Sequence, residues 1–256
     1  MERGKDRYLR QRILPEVGEE GQACLSRAKV LVAGCGALGT NLAEVLARAG
    51  VGRLVLVDND TFELCNLQRQ ALLTEADIGL PKARVVAQAL TQVNSTVDVS
   101  YEVVRIDAKN VEGLVADVDL VLDGFDNLPS RYLLNDACVK HGIPWVFAAV
   151  AGTYGITMPI LPRKGPCLRC LFPFPAPDEV VLTAQNAGVI NTLPRAIAAV
   201  EGTQGIKILL GKEEASIHLI TYDIWRDDFA VQTIVRNENC PCCGKGCYAF
   251  LEPTSA

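Results

Sequence analysis

Aromatic residues make up only 6% of this 256-residue chain, and it carries two histidines, two methionines and two tryptophans. So little histidine leaves small scope for imidazole acid–base chemistry. His141 precedes Gly142 at an expected helix end, a C-cap environment, and His218 falls in an expected strand. No Ser–His–Asp arrangement is supported. Positive charge is not in excess either: 25 Lys and Arg against 30 Asp and Glu give a net charge of −5. That balance argues against a nucleic-acid partner, which needs a basic face. No apolar run is long enough to span a bilayer, and the charged start MERGKDRYLRQR has no apolar signal core. Internal repeats and low-complexity tracts are also missing. These absences predict a cytoplasmic protein with no membrane partner.

What is present fits a globular chain: 49% hydrophobic and 21% charged residues. The length allows one large domain or two small ones. Ten cysteines stand out. In a reducing compartment, close pairs read as metal ligands or reactive thiols before they read as disulfides.

Short apolar runs alternate with helical periodicity. AKVLVAG (28–34) and RLVLVD (53–58) read as buried strands, and further strands are predicted at 98–104, 118–122 and 144–149. Helices are predicted over 1–27, after the glycine turn from Leu38 to Ala49, over 81–93 with Pro81 in the first turn, and over about 129–141. This alternation implies an α/β fold with a doubly wound, mostly parallel sheet. Beyond residue 150 the pattern changes. A strand at 153–162 has no helix after it, then a Pro- and Cys-rich loop follows, a helix at 194–210, strands near 216–223 and 229–235, and a Cys-rich tail. The irregular stretch 163–193 is the best candidate for a substrate-facing crossover.

Gly34-Cys35-Gly36-Ala37-Leu38-Gly39 is a GxGxxG turn between a strand and a helix. The first glycine permits the tight turn, the second lets backbone approach phosphate, and the third lets helix pack on strand. The helix N-terminus adds free N–H groups and positive potential. Asp58 lies 19 residues beyond Gly39, where a carboxylate can accept from ribose hydroxyls. The turn indicates a nucleotide without saying which. NAD is the default, and a nicotinamide-dependent oxidoreductase with a structural zinc is one reading. A triphosphate with magnesium asks for more cations and a carboxylate. Arg69, Lys82 and Asp126 supply these, and Asp58, Asp60 and Asp126 are all predicted along the carboxyl edge of the sheet.

With these residues assembled, the chain resembles the ThiF/MoeB/HesA family, bacterial relatives of ubiquitin-activating enzymes. The matching motifs are RYLRQ (7–11), VAGCGALGT (32–40), AGVGRLVLVDNDTFELCNLQRQ (49–70), IGLPKA (78–83), VLDGFDN (121–127), CLRC (167–170) and CPCCG (240–244). The resemblance implies a Rossmann-like sheet with a C-terminal antiparallel extension. It also implies ATP- and Mg2+-dependent adenylation of the C-terminal glycine of a small ubiquitin-fold carrier with a Gly-Gly tail. Pyrophosphate is released. By motif, Asp58 would be the ribose ligand, with Asp60, Asn127 and the three glycines around the nucleotide. Arg69 and Lys82 would clamp phosphate, and Asp126 would hold magnesium. Asn66 and Gln70 would orient phosphate or carrier tail. Arg10 would reach across a homodimer interface into the partner's site. The motif order favours one adenylating domain over 1–256, with a helical arm (1–27), a nucleotide-binding part (28–150) and a carrier-binding and zinc part (151–256).

Cys167-x-x-Cys170 and Cys240-x-x-Cys243 are metal-ligand pairs about 70 residues apart. Four thiolates suit a closed, structural, tetrahedral Zn2+ site, and the resemblance supports these four. From spacing alone, Cys242 or Cys247 could replace a tail ligand. Neither pair has the strand–CxxC–helix context of a redox site. Cys24, Cys35 and Cys138 read as buried fillers, and so does Cys65, although it stands beside the phosphate-clamp motif. The departure from the family lies in LTAQNAGV (182–189), where many relatives carry a cysteine after the threonine and this chain has Ala184. That favours hand-over of the acyl-adenylate to a separate sulfur donor, with Cys65 and Cys247 as substitute thiols. A nucleotide-binding, non-catalytic scaffold is the third reading.

Overall fold

The computed structural model describes residues 6–175, 182–212 and 217–252. The first apolar run forms β1 (Lys29–Ala33), whose side chains alternate between two cores. Val30 and Val32 enter one and Leu31 and Ala33 the other, so both sheet faces are covered and the run reads as continuously apolar. Two short helices precede it, α1 (Leu9–Arg12) and α2 (Gly18–Arg27). The expected N-terminal helical arm is therefore broken, by a turn over 13–17 that ends at Gly18, with its φ of +65°.

After β1 come α3 (Ala37–Ala49), β2 (Arg53–Val57), α4 (Lys82–Val93), β3 (Asp98–Glu102), α5 (Val111–Val115), β4 (Leu120–Asp123), α6 (Leu128–His141) and β5 (Trp145–Ala151). The later part runs β6 (Tyr154–Ile160), α7 (Leu168–Leu171), α8 (Ala184–Ala187), α9 (Thr192–Leu209), β7 (His218–Asp223) and β8 (Asp228–Thr233). One sheet holds all eight strands in the order β3-β2-β1-β4-β5-β6-β7-β8. Strands β1 to β5 are mutually parallel and β5 to β8 antiparallel. The expected α/β class with an antiparallel C-terminal extension is borne out.

Helices α3, α4 and α9 cover one face through Leu42, Leu46, Val86, Leu90 and Ile197. The other face is covered by α5, α6, the start of α7 and the Cys-rich tail, through Val115, Leu134, Cys138, Cys167, Cys240 and Cys242. Each large aliphatic buried this way contributes about 1.5–3 kcal/mol. Strand order reverses between β1 and β4. There the loops leaving the two carboxyl ends diverge, and open α/β sheets form a crevice.

Several boundaries differ from the sequence pattern because a partner strand sets them. Strand β3 stops at Glu102, opposite Val57, the last residue of β2. Strand β6 stops at Ile160 opposite Trp145, and β8 stops at Thr233 opposite His218. Residue 216, the expected start of β7, lies outside the described residues. Pro81 is the extended N-cap of α4 rather than a residue of its first turn. A short helix, α7, follows β6 where none is expected from the sequence. No helix among the described residues is long and apolar enough to cross a membrane.

Candidate active site

The glycine turn is built by backbone contact. Gly34 has φ of +102°, a left-handed conformation that side chains disfavour, and a Cβ there would sit 2.7 Å from Gly124 O. Gly124 donates its N–H to Ala33 O at 2.8 Å, so the loops after β1 and β4 lie directly against each other. At Gly39 a Cβ would fall 1.8 Å from Gly34 O, which makes this glycine the packing point of helix on strand. Gly36 caps α3 without a side-chain hydrogen bond, leaving first-turn N–H groups available to an anion.

A cleft of about 630 Å³ opens over this turn at the carboxyl end of the parallel strands. Ten residues predicted from the sequence line it: Gly34, Gly36, Asp58, Asp60, Asn66, Arg69, Gln70, Lys82, Asp126 and Asn127. Gly39 lies beneath it. Arg10 does not line it. Helix α1 instead docks at the far end of α3, where Gln11 Nε2 donates to Ala49 O at 2.9 Å. The 13 residues of α3 separate that end from the glycine turn, about 20 Å of helix.

Each lining side chain is held by identifiable partners. Asp58 accepts from Cys35 N–H and Asp60 N–H, both at 2.7 Å. Burial raises its carboxyl above the ordinary range, against these two hydrogen bonds and the charge of Lys82. Lys82, buried at the start of α4, donates from Nζ to Asp60 Oδ2 at 3.1 Å. Arg69 donates from Nη1 to Cys65 O at 2.8 Å. The loop carrying Arg69 and Gln70 is fixed to α3, because Ala71 N–H donates to Thr40 Oγ1 at 3.0 Å and Asn41 Nδ2 donates to Arg69 O at 3.4 Å. Asn66 Oδ1 accepts from Glu63 N–H at 3.0 Å, closing the same loop. Gln70 is buried, yet its Oε1 has no partner among the described residues.

Asp126 lies in the loop after β4, three residues beyond Asp123. It accepts from Gln185 Nε2 at 2.9 Å and from Asn127 Nδ2 at 3.2 Å. Burial pushes its carboxyl up, but these hydrogen bonds and the Arg131 charge together hold it below the ordinary value. Asn127 also caps α6, accepting from Ser130 N–H at 3.0 Å. Ala184 and Gln185 of α8 line the cleft as well, so the crossover does reach the site.

A buried cluster beneath Asp126 has no counterpart in the sequence reading. Arg131 donates from Nε to Asp123 Oδ2 at 2.7 Å and from Nη2 to Ala148 O at 2.8 Å and to Phe125 O. Asp123 N–H donates to Glu201 Oε1 at 2.9 Å from the other side of the sheet. Burial first, and then the nearby Asp123 charge, raise Glu201 well above the carboxylate range. Asp123 is also raised by burial, against the pull of Arg131. The guanidinium pairs with Asp123 alone, and Glu201 Oε2 has no partner among the described residues. Arg105 is a further lining cation that the sequence reading missed. Neither Arg131 nor Glu201 carries a local signal, since each partner is set by the fold.

Away from the cleft, the sulfurs of Cys167, Cys170, Cys240 and Cys243 all lie within 4.8 Å of one another. Tetrahedral zinc with ~2.3 Å bonds to sulfur spaces its ligands by roughly 3.8 Å, and the pairs Cys167–Cys240 and Cys170–Cys243 stand at 3.6 and 3.4 Å. The donor set fits zinc. It also answers which tail sulfurs are grouped. Cys242 is outside this set and accepts from Asn135 Nδ2 at 3.3 Å, and Cys247 is exposed. Cys35 and Cys138 are buried as expected, whereas Cys24 is only half-buried and Cys65 is exposed. Both exceptions sit at surfaces the periodicity does not mark: the C-terminal turn of α2 and the cleft wall.

A family model described as the ThiF family matches residues 8–242. The chain belongs to the ThiF family. Within that family it is 42% identical over 245 residues to a sulfur carrier protein adenylyltransferase of Thermus thermophilus, a match covering 93% of this chain and 90% of the relative. It is 37% identical over 252 residues to the sulfur carrier protein ThiS adenylyltransferase of Bacillus subtilis, covering 96% and 73% of the two chains. Among solved structures, E. coli MccB with AMPCPP and MccA superposes with a TM-score of 0.82 at 24% identity, over 94% of this chain and 75% of that one. This last likeness shows the shared fold.

Proposed function

We propose that this ThiF-family chain uses ATP to adenylate the C-terminal glycine carboxylate of a small ubiquitin-fold sulfur-carrier protein, releasing pyrophosphate. The observation that carries the reading is the convergence of Asp58, Arg69, Lys82 and Asp126 on one cleft over the glycine turn. The printed names of the curated relatives, adenylyltransferases of sulfur carriers, support the same reaction.

A carboxylate is a poor acyl donor, and its mixed anhydride with AMP is a good one. In the proposed step a carboxylate oxygen of the carrier attacks the α-phosphorus. The bond to the β-phosphate oxygen breaks, and its electron pair leaves with pyrophosphate. Catalysis of this kind is mainly positioning and charge neutralisation. Asp58 accepts from the ribose hydroxyls. Arg69 and Lys82 neutralise the phosphates, and the N–H groups at the start of α3 add positive potential. Gln70 Oε1 is a buried acceptor available to the carrier tail. Asn66 and Asn127 hold the two loops in register. A bound magnesium ion would neutralise phosphate charge, and the ionised Asp126 suits a hard, oxygen-seeking cation.

In this reading the chain acts as a homodimer, with Arg10 serving the partner's cleft, since α1 lies at the far end of α3 from its own. The four-cysteine centre holds structural zinc and ties the loop after β6 to the tail. A cytoplasmic, reducing compartment keeps the thiols available. The test is ATP–pyrophosphate exchange with and without a carrier that ends in Gly-Gly. Carrier-dependent exchange is expected. Tight NADH binding, with no exchange for any such carrier, would overturn the reading.

A further inference from the structure

We propose that Glu201, on the face of the sheet away from α6, is a positioning residue for adenylation: it fixes the end of β4 and so the aim of Asp126 into the cleft. The inference rests on the adenylation reading above. Pairing between β4 and β5 runs over Val121–Trp145 and Leu122–Val146 and stops there, although β5 continues to Ala151. Beyond that point side chains join the two strands. Ala148 N–H donates to Asp123 Oδ2 at 3.3 Å, and Arg131 Nη2 donates to Ala148 O at 2.8 Å. The same two side chains fix the residue before Asp126. Phe125 donates its N–H to Asp123 Oδ1 at 2.9 Å, and its carbonyl accepts from Arg131 Nη2. That carbonyl belongs to the peptide leading into Asp126, so the direction of the Asp126 side chain follows from the placement of Asp123.

Asp123 is gripped from both faces of the sheet. Arg131 of α6 takes its carboxylate on one face, and Glu201 of α9 takes its N–H on the other, through Oε1 at 2.9 Å. Glu201 is fully buried, and this is its one hydrogen bond among the described residues, since Oε2 has no partner. A carboxyl is costly to bury, and an apolar side chain would pack α9 on the sheet with less desolvation. Its contact is instead with main chain three residues before Asp126. Asp58, Arg69 and Lys82 are held by partners on other loops, Cys35, Cys65 and Asp60. Loss of the Glu201 bond therefore disturbs the Asp126 side of the cleft and leaves the ribose and phosphate side in place.

The test compares Glu201→Met, Glu201→Gln and the native chain in carrier-dependent ATP–pyrophosphate exchange. Methionine matches the length and lacks the oxygen acceptor, whereas glutamine keeps Oε1. Glu201→Met should lower kcat about tenfold and raise half-maximal magnesium by a similar factor, as expected for one lost buried hydrogen bond. KM for ATP at saturating magnesium should stay unchanged. Glu201→Gln should restore kcat and the magnesium requirement. A merely structural glutamate would lower the melting temperature without this split. Native kcat and magnesium requirement in folded Glu201→Met overturn the inference. So does a Glu201→Gln chain as impaired as Glu201→Met, which would assign the effect to charge rather than to the Asp123 N–H. Should Glu201→Met not fold, Glu201→Asp decides: its carboxyl is drawn back by one methylene, the same split is expected, and native kinetics overturn the inference. Absence of exchange in the native chain overturns the adenylation reading, and the inference with it.

Discussion

Gln185 Nε2 donates to Asp126 Oδ2 at 2.9 Å, tying α8 to the loop after β4. A cation that takes Asp126 must share or displace this bond. Gln185→Ala removes the competitor at a cost set by one exposed hydrogen bond to a charged group, about 1 kcal/mol. Half-maximal magnesium for pyrophosphate exchange should therefore fall about fivefold. A raised magnesium requirement would show instead that Gln185 helps to hold the cation. Asp126→Ala should lose exchange with the fold intact by circular dichroism.

Glu201 gives a pH-dependent stability with a definite sign. Its folded carboxyl is raised well above the ordinary value, first by burial and then by Asp123. The unfolded chain releases that proton above about pH 4.3, while the folded chain keeps it. Where the folded state binds more protons, stability falls as pH rises, by about 1.4 kcal/mol per unit for one proton. The contribution is complete below the unfolded pKa and disappears as pH climbs to the folded one. Glu201→Gln keeps the shape without the proton. Urea midpoints between about pH 5 and 7 should fall more steeply for the native chain than for this variant. Parallel slopes would mean that Glu201 is ionised when folded. Asp123 is raised in the same direction, but Arg131 opposes its shift and it remains in both chains.

These two clusters mark the boundary of what could be read from sequence. Strands β1, β2, β4 and β5 are legible because each face of the sheet is covered, so valine and leucine run without interruption. The glycine turn is legible because its spacing is imposed by backbone contact, 1.8 Å for a Cβ at Gly39. Ten cleft residues were found because they sit in compact motifs. Glu201 was not, since its partner Asp123 lies 78 residues away and only the packing of α9 on the sheet brings them together. Gln185 was missed for the same reason: α8 meets Asp126 across 59 residues of chain. Strand ends were misjudged wherever a neighbour's length, rather than local hydrophobicity, decided them.

The four-cysteine cluster predicts a division among the sulfurs of the tail. The chain should carry one zinc ion, and Cys170→Ser or Cys243→Ser should lower zinc content and the melting temperature together, because a closed site contributes its binding energy to folding. Cys242→Ala should keep the metal. Its sulfur accepts from Asn135 and also contacts Asp136 and Cys167, and losing such a buried hydrogen bond costs about 1–3 kcal/mol. Atomic absorption on the three purified variants decides this. Zinc lost from Cys242→Ala and kept by Cys243→Ser would exchange their roles.

Arg10 permits a test of assembly that no single chain can pass. It lies on α1, at the end of α3 remote from the glycine turn, whereas Asp126 lines the cleft. If Arg10 serves the partner's cleft, Arg10→Ala and Asp126→Ala each inactivate a homodimer by different routes. In a mixed dimer the cleft of the Arg10→Ala subunit keeps its own Asp126 and receives Arg10 from its partner. The other cleft fails on both counts. Random exchange at equal concentrations makes half the dimers mixed, with one working site in two, so activity should recover to about a quarter of the native value. Recovery should require subunit exchange, and should appear on co-expression even where purified dimers exchange slowly. No recovery from co-expressed chains, with mixed dimers verified by mass, would place the action of Arg10 within its own subunit or outside the reaction.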